Sequence, residues 1–422
     1  MMNIPGNYLS HGQGQPGKIM IIAGEPSGDL HGANLVKALK QRAPKTEILG
    51  IGGDTMARAG MKLLFHIRDL SVMGVTEVLL KMQTIARVFR GMKDQLARCS
   101  PDLLILIDYP GFNLKMAAAA RPMGIPVLYY ISPKVWAWKM SRLKKIKKYV
   151  DHVALIFPFE APLYRKWKIP HTFVGHPLLD CHDPGLLPAL KSGDEVFTIA
   201  LLPGSRNSEI DALLEILLNA SLKIKQRIPG VRFLISCATN VDMDRFNSIL
   251  NHYNSHGQIS HCSLACPQQN LKTCPGCRNF HINTKDLFQV FHGNVSAILS
   301  SAHVVIAASG TVSLEAALFR VPTIIVYKMS WMSYFLARLF VKIEYVGLAN
   351  IIFGQQVMPE LLQGDATPEK ISEKVISILN DSVRGAMEKR LEMLPALLGG
   401  KGASQRVAAL AFDMVKQHCN CK

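Results

Sequence analysis

Four short stretches carry residues whose types and spacing suit chemistry on anionic, hydroxyl-rich ligands. In AGEPSGDLHGANL (23–35) an apolar run gives way to Glu25, Ser27, Gly28, Asp29 and His31. Gly24, Ser27 and Gly28 allow a tight backbone path into a helix, whose free N–H groups could hold an anion or sugar hydroxyls. Capping of that helix by Ser27 or Asp29 is the plainer reading, but it leaves Glu25 unexplained. The run LLILID ends on Asp108. A carboxylate at the mouth of an apolar strand is expensive to bury, so it is exposed, paired, or poised as a general base.

Two further turns repeat the order of apolar run, small residues and helix. In LLPGSRNSEI (201–210), Arg206 follows Ser205 and could grip a diphosphate together with nearby amides. In IAASGTVSLEAALFRVPTIIVYK (306–328), Ser309, Gly310 and Thr311 offer a phosphate seat, and Glu315, one turn on, could accept ribose hydroxyls. None of these turns is a G-x-G-x-x-G or a Walker sequence, which counts against nicotinamide and P-loop nucleotide binding.

The elements that must position these residues are legible as short Val/Ile/Leu runs alternating with amphipathic stretches, the pattern of parallel strands covered by helices on both faces. One series holds IMIIAG (19–24), EILGIG (47–52), LLILID (103–108), IPVLYYI (125–131), HVALIF (152–157) and HTFVG (171–175). After the Pro- and Gly-containing HDPGLLPALKSGDE (182–195), a second holds FTIALLPGS (197–205), VRFLISCA (231–238), FHINTK (280–285), AHVVIAAS (302–309) and VPTIIVYK (321–328). The expected fold is α/β, with two doubly wound Rossmann-like domains joined near residue 190 and a helical tail. Ligands of such sheets bind at the carboxyl ends of the strands, so the cleft between the domains is the expected site.

Composition agrees with this class. The chain has 422 residues, 49% hydrophobic and 19% charged, which excludes disorder, collagen-like repeats and small disulfide scaffolds. No apolar run reaches the roughly 18 residues of a spanning helix. The first seventeen residues lack a basic start and an apolar core, so they read as a leader rather than a signal peptide, and a cytoplasmic address follows. A formal charge of +17 points to an anionic partner, whether nucleic acid, lipid headgroups or phosphorylated small molecules.

Three segments are open to several readings. From Lys115 to Lys148 there are nine basic residues and no acid, interleaved with Tyr129, Tyr130, Trp136 and Trp138. That combination fits an anionic membrane surface, single-stranded nucleic acid, or a solvated helical face with some core tryptophans. KMSWMSYFLARLFVK (328–342) suits interfacial docking or an acyl chain, or else a buried helix or dimer contact. Cys262, Cys266, Cys274 and Cys277 lie in a polar segment that reads as a surface insertion, either binding zinc or forming an inert thiol-rich loop.

Taken together, AGEPSGDLHGA, VMGVTEVL (72–79), IDYPGFN, YYISPKVWAW, FPFE (157–160), FVGHPLLD (173–180), LLPGSR, ASGTVSLE and YVGLANII with PELLQG (345–364) resemble the lipid-A-disaccharide synthase family. The resemblance runs from about Lys18 to about Lys416, apart from the Cys-rich insertion. It implies an inverting glycosyltransferase of the two-Rossmann-domain GT-B class. Such an enzyme moves a diacylated glucosamine from UDP-2,3-diacylglucosamine to the 6-hydroxyl of 2,3-diacylglucosamine 1-phosphate, giving a β-1,6 disaccharide and UDP.

Carried over position by position, the resemblance makes Asp108 the general base. Substrate contacts fall to Glu25, Ser27, Gly28, Asp29 and His31 of the first turn, to Ser205 and Arg206, to Ser309, Gly310, Thr311 and Glu315, and to Asn350. Gly111 stands where the family often has a second Asp, Ala349 replaces a usual Pro, and Gln355–Gln356 replaces a frequent Arg–Glu pair. The implied organisation is an acceptor-side domain at 18–188, a UDP-sugar domain at 196–365, and a tail at 366–418 that packs back on a domain or on the partner chain of a homodimer. The implied address is cytoplasmic, peripheral on the inner membrane through an anionic surface, with no nucleic acid partner. No cofactor is implied. No metal is expected either, because no Asp-x-Asp pair stands at the expected positions and a helix N-terminus with Arg206 can offset the leaving charge. The rivals are another UDP-sugar enzyme of the same architecture, such as an epimerase or a transferase to a different lipid acceptor, and a basic RNA-binding protein.

Overall fold

The computed structural model describes residues 16–70, 78–136, 140–181, 196–239, 241–253, 259–262, 287–293, 295–329 and 344–420. Outside them lie the start of the leader, most of VMGVTEVL, Trp138, the 182–195 stretch, FHINTK, nearly all of KMSWMSYFLARLFVK, and the cysteines Cys266, Cys274 and Cys277.

The apolar runs of the first half become one parallel sheet. Its strands are β1 (Lys18–Ala23), β2 (Glu47–Gly52), β3 (Lys62–His66), β4 (Leu103–Ile107), β5 (Val127–Tyr130), β6 (His152–Leu155) and β7 (His171–Phe173), in the order β3-β2-β1-β4-β5-β6-β7. Ile19 to Ala23 and Leu103 to Ile107 have no exposed surface. Burial on both faces is why these strands read as unbroken apolar runs rather than alternating ones. Removing each such Ile, Leu or Met side chain from water contributes about 1.5–3 kcal/mol.

The second half repeats the plan. β8 (Phe197–Leu202), β9 (Val231–Cys237), β10 (Ile259–Cys262), β11 (Phe288–His292), β12 (Val304–Ala308), β13 (Thr323–Tyr327) and β14 (Glu360–Leu362) pair in the order β10-β11-β9-β8-β12-β13-β14, again parallel. The core of this sheet packs Ile199, Leu201, Phe233, Ile235, Val304 and Ile306 against Leu214 and Leu217 of the helix Asn207–Arg227.

Four strands escape the apolar-run pattern, each for a visible reason. Every residue of β3 keeps some exposure, and β14 has only 3 residues. Gln289 and His292 interrupt β11, and β10 lies in the polar segment read as an insertion.

Contacts divide the chain into two compact units, residues 1–180 with 398–422, and residues 181–397. The helix Pro368–Leu379, capped by the Thr367 hydroxyl, packs on Asn207–Arg227 within the second unit. The last helix, Ala403–Asn420, returns to the first unit and packs on the helix Pro26–Arg42. Asp180 fixes it there. Its carboxylate accepts the N–H groups of Gly402 at 2.7 Å, Ala403 at 3.2 Å and Ser404 at 2.8 Å, the orphan donors of that helix N-terminus.

Candidate active site

In each sheet the strand order reverses beside the sheet's first strand, and crevices for ligands open at such switch points. In the first unit the switch lies between β1 and β4, whose carboxyl ends lead to Gly24–Glu25 and to Asp108. In the second it lies between β8 and β12, which lead to Gly204–Ser205–Arg206 and to Ser309–Gly310–Thr311. Glu25 and Asp108 of the first half, and Ser205, Arg206, Ser309, Gly310 and Thr311 of the second, therefore follow the strands at the switch points, whereas Asn350 lies between β13 and β14.

Asp108 follows β4 in a left-handed conformation, φ 45°, and so does Tyr109, φ 45°. Neither is a glycine, so both store backbone strain of about 1–3 kcal/mol each. The Asp108 N–H donates to the Tyr130 carbonyl at 3.1 Å. Its own carbonyl accepts from Asn113 Nδ2 at 2.7 Å and from the Tyr129 hydroxyl at 2.7 Å. Pro110 then opens the helix Pro110–Ala120.

The carboxyl of Asp108 is pushed up to about 6, first by burial and next by the negative charge of Glu25, while Lys134, the Tyr109 N–H and Arg142 pull it down. This is a carboxyl that ionises near neutrality, as a general base must. Glu25 itself is exposed. Gly24 is required by close approach, because a Cβ there would lie 2.3 Å from the Tyr109 ring.

The rest of the first turn divides by role. Ser27 is exposed and open to a ligand, whereas Gly28 packs against Ala23. Asp29 is 6% exposed and uses both carboxylate oxygens internally, accepting from Gly53 N at 2.7 Å, Thr55 N at 3.1 Å and Met56 N at 3.0 Å. It holds the start of the helix Asp54–Arg58 and not its own helix, whose N-cap Glu25 makes no capping side-chain bond. His31 is buried, its Nδ1 has no hydrogen-bond partner, and burial pushes its pKa down to about 4 against the pull of Asp180. It is neutral at pH 7.

In the second unit, the Arg206 guanidinium donates to Glu209 at 2.7 Å, and the same carboxylate accepts the N–H groups of Ser205 at 2.8 Å and Arg206 at 3.2 Å. Gly204 has φ +122°, and a Cβ there would lie 2.4 Å from Glu209 Oε2. Glu209 thus seats the turn that the sequence assigns to a diphosphate. Its place three residues after Arg206 in LPGSRNSE was the available signal, that of a capping acid at the third helical position.

Ser309 donates from its hydroxyl to the Val346 carbonyl at 3.2 Å, Gly310 leaves open space at its α-carbon, and Thr311 is exposed. Glu315 accepts from the Ser296 hydroxyl at 3.2 Å. Asn350 is 0% exposed and held on both sides, Nδ2 donating to Met358 O at 2.8 Å and Glu360 at 2.7 Å, Oδ1 accepting from Val357 N at 2.8 Å and Met358 N at 2.9 Å. In turn, Glu360 accepts the N–H groups of Val346 and Gly347, both at 2.9 Å, so Asn350 frames the loop on which Ser309 leans.

Two sequence readings change. Tyr129 and Tyr130 have no exposed surface and belong to the core of β5, so they are not interfacial aromatics. Lys134 and Arg142, read as part of a basic surface run, are near enough to Asp108 to offset its charge.

The family profile of lipid-A-disaccharide synthetases matches residues 19–270 and 279–411. The lipid-A-disaccharide synthase of Trichlorobacter lovleyi is 38% identical over 96% of this chain and 99% of its own length. That of Syntrophus aciditrophicus is 39% identical over 94% and 98%, and that of Coxiella burnetii 36% over 94% and 98%. The chain belongs to the lipid-A-disaccharide synthase family. It is accordingly a glycosyltransferase. The gap in the match to the lipid-A-disaccharide synthase profile, 271–278, contains Cys274 and Cys277, whereas Cys262 and Cys266 lie within the matched residues.

Solved structures agree on the fold. A UDP-GlcNAc 2-epimerase from Neisseria meningitidis superposes with a TM-score of 0.59 at 10% identity over 96% of this chain and 100% of its own. MurG of Acinetobacter baumannii does so with a TM-score of 0.56 at 14% identity over 94% and 100%. These set the lipid-A-disaccharide synthase family on the architecture of two Rossmann-like domains. Among the described residues no helix is long and apolar enough to cross a membrane, and no group of His, Cys, Asp or Glu could hold a metal ion.

Proposed function

We propose that Asp108 is the general base of an inverting transfer from UDP-2,3-diacylglucosamine to 2,3-diacylglucosamine 1-phosphate. The acceptor binds at the β1–β4 switch, with Glu25, Ser27 and the Gly28 turn beside it and His31 beneath. Asp108, ionised above about pH 6, takes the proton of the acceptor 6-hydroxyl as its oxygen bonds to the anomeric carbon. The bond from that carbon to the diphosphate oxygen breaks on the opposite face, and UDP leaves with the electron pair. The observation that carries this reading is a carboxyl with its pKa raised toward neutrality at the switch point of the first sheet.

The donor belongs to the second unit. Arg206 and Ser205 meet the diphosphate, the Ser309–Gly310–Thr311 turn holds a phosphate, and Glu315 accepts ribose hydroxyls. Asn350 and Asp29 act by holding loops, since their polar atoms are already engaged. On this reading 18–188 is the acceptor-side domain, 196–365 the UDP-sugar domain and 366–418 the tail.

An anionic membrane surface is the proposed partner, in keeping with acylated substrates and a peripheral place on the cytoplasmic face. The helix Ser141–Tyr149 turns Leu143 and Ile146 inward and leaves Lys144, Lys145, Lys147 and Lys148 exposed, with Met140 52% exposed beside them. Each such cation contributes about 1 kcal/mol near an anionic surface. Charge reversal of the four lysines should release the protein from anionic vesicles, and unchanged cosedimentation would remove this partner.

The deciding assay incubates UDP-2,3-diacylglucosamine with and without 2,3-diacylglucosamine 1-phosphate. A disaccharide 1-phosphate and UDP should form only with both. Consumption of the UDP-sugar without acceptor would replace this reading with an epimerase or hydrolase.

A further inference from the structure

The chain spends two buried side chains on one backbone atom. Tyr129 and Asn113 are each 0% exposed, come from different elements, and both donate to the carbonyl oxygen of Asp108. Packing alone does not ask for this. A phenylalanine would fill the β5 position as well, and a buried hydroxyl left unpaired costs about 1–3 kcal/mol. Asn113 adds a second bond to the Ile107 carbonyl at 3.1 Å, so it straddles the point where β4 turns left-handed.

That turn is where strain is stored. Asp108 and Tyr109 are consecutive non-glycine residues at φ 45°. Extended backbone at Asp108 would carry the chain on along the strand and point the carboxyl elsewhere, because side chains alternate faces along a strand. The left-handed turn persists only if its surroundings over-determine it. Tyr129 and Asn113, together with the bond from Asp108 N–H to Tyr130, supply that constraint.

We infer that Tyr129 and Asn113 are positioning residues for the transfer, clamping the Asp108 carbonyl so that the strained residue presents its carboxyl to the acceptor hydroxyl. This rests on the reading of Asp108 as base. Burial holds the Tyr129 phenol well above its ordinary range, so it remains a donor throughout the working pH. Neither residue touches the acceptor, and both act through Asp108.

The test uses the full-length protein and four variants, Tyr129→Phe, Asn113→Ser, Asp108→Asn and Tyr129→Phe with Asp108→Asn. Tyr129→Phe should lower kcat by ~10–10²-fold, the cost of misplacing a reacting group by about an ångström. The dissociation constant of UDP should stay unchanged, and the acid limb of the pH profile should move to lower pH as Asp108 relaxes toward water. In the Asp108→Asn background the Tyr129 change should cost nothing further, since the two act as a unit. A Tyr129→Phe enzyme with the parent kcat and pH profile would overturn the inference, as would a full additional loss in the Asp108→Asn background. Asn113→Ser repeats the reading should Tyr129→Phe fail to fold. Turnover surviving in Asp108→Asn itself would instead sink the assignment of the base, and the two failures are thereby told apart.

Discussion

Glu25 and Asp108 follow neighbouring parallel strands, and the negative charge of Glu25 adds to burial in raising the Asp108 carboxyl to about 6. A negative charge beside a carboxyl disfavours its ionisation. With Asp108 as the proposed base, activity requires a pH above that value, and kcat/KM should fall tenfold per pH unit on the acid side of about pH 6. Glu25→Gln removes one of the two raising influences, so the acid limb should shift to lower pH while the alkaline side stays in place. A pH–rate profile of the two proteins measures this, and coincident acid limbs would separate Glu25 from Asp108.

Arg206 and Glu209 hold each other at 2.7 Å, although Arg206 keeps 73% of its side-chain exposure. A carboxylate on the guanidinium competes with any diphosphate that the guanidinium is to bind. Arg206→Ala should weaken UDP by about tenfold or more, the scale of one charge-assisted contact. Glu209→Gln should move affinity the other way, tightening UDP severalfold by removing the competing charge. Titration calorimetry with UDP decides both. Weaker binding in Glu209→Gln would mean that Glu209 orients Arg206 for the ligand instead of competing with it.

How much of this was legible beforehand depends on whether the signal is local. Asp108 could be read from type and place, a carboxylate closing an apolar run, and Arg206 from its turn. The first sheet's long buried strands announced themselves because both faces are covered. By contrast, Asp29 and Asn350 look like site residues in sequence, and only the structure shows their polar atoms committed to Gly53, Met56, Met358 and Glu360. In sequence Tyr129 is open to a surface reading, because its partner, the Asp108 carbonyl, lies 21 residues away. Such pairings depend on strand register, which no window of sequence contains. For the same reason, Lys134 was visible as a charge but not as a neighbour of Asp108.

Asp180, in the short helix Leu178–Cys181, is joined to the start of the helix Ala403–Asn420 through three N–H groups. Arg406 reinforces the joint by donating to the Val174 carbonyl at 2.7 Å. A cap of this kind is worth about 0.5–2 kcal/mol, with the charge adding a share through the helix dipole. Asp180→Ala should lower stability by that amount and speed amide exchange in the helix Ala403–Asn420 more than elsewhere. Asp180→Asn, which keeps an acceptor, should recover part of the loss. Uniform exchange across the chain in Asp180→Ala would show that the joint does not hold this helix.

Among the described residues, Glu160 is the most deeply buried acid of the first unit, 1% exposed at the start of the helix Ala161–Lys166, where it accepts the Phe157 N–H at 3.2 Å. Burial raises its carboxyl to about 8, against the backbone N–H groups of Phe157 and Ile156, so it is protonated at neutral pH. Unfolding exposes it to water, where it ionises near the ordinary value of 4.5. The folded state binds the extra proton, and the stability this group permits is complete below pH 4.5 and declines as pH rises, levelling off above about 8. Glu160→Gln mimics the neutral acid at every pH. It should therefore match the parent at pH 4.5, exceed it by roughly 3 kcal/mol at pH 7, and keep a larger margin at pH 9. Urea unfolding of both proteins at these three pH values tests the claim, and a margin that does not grow with pH would mean that Glu160 is ionised in the folded protein.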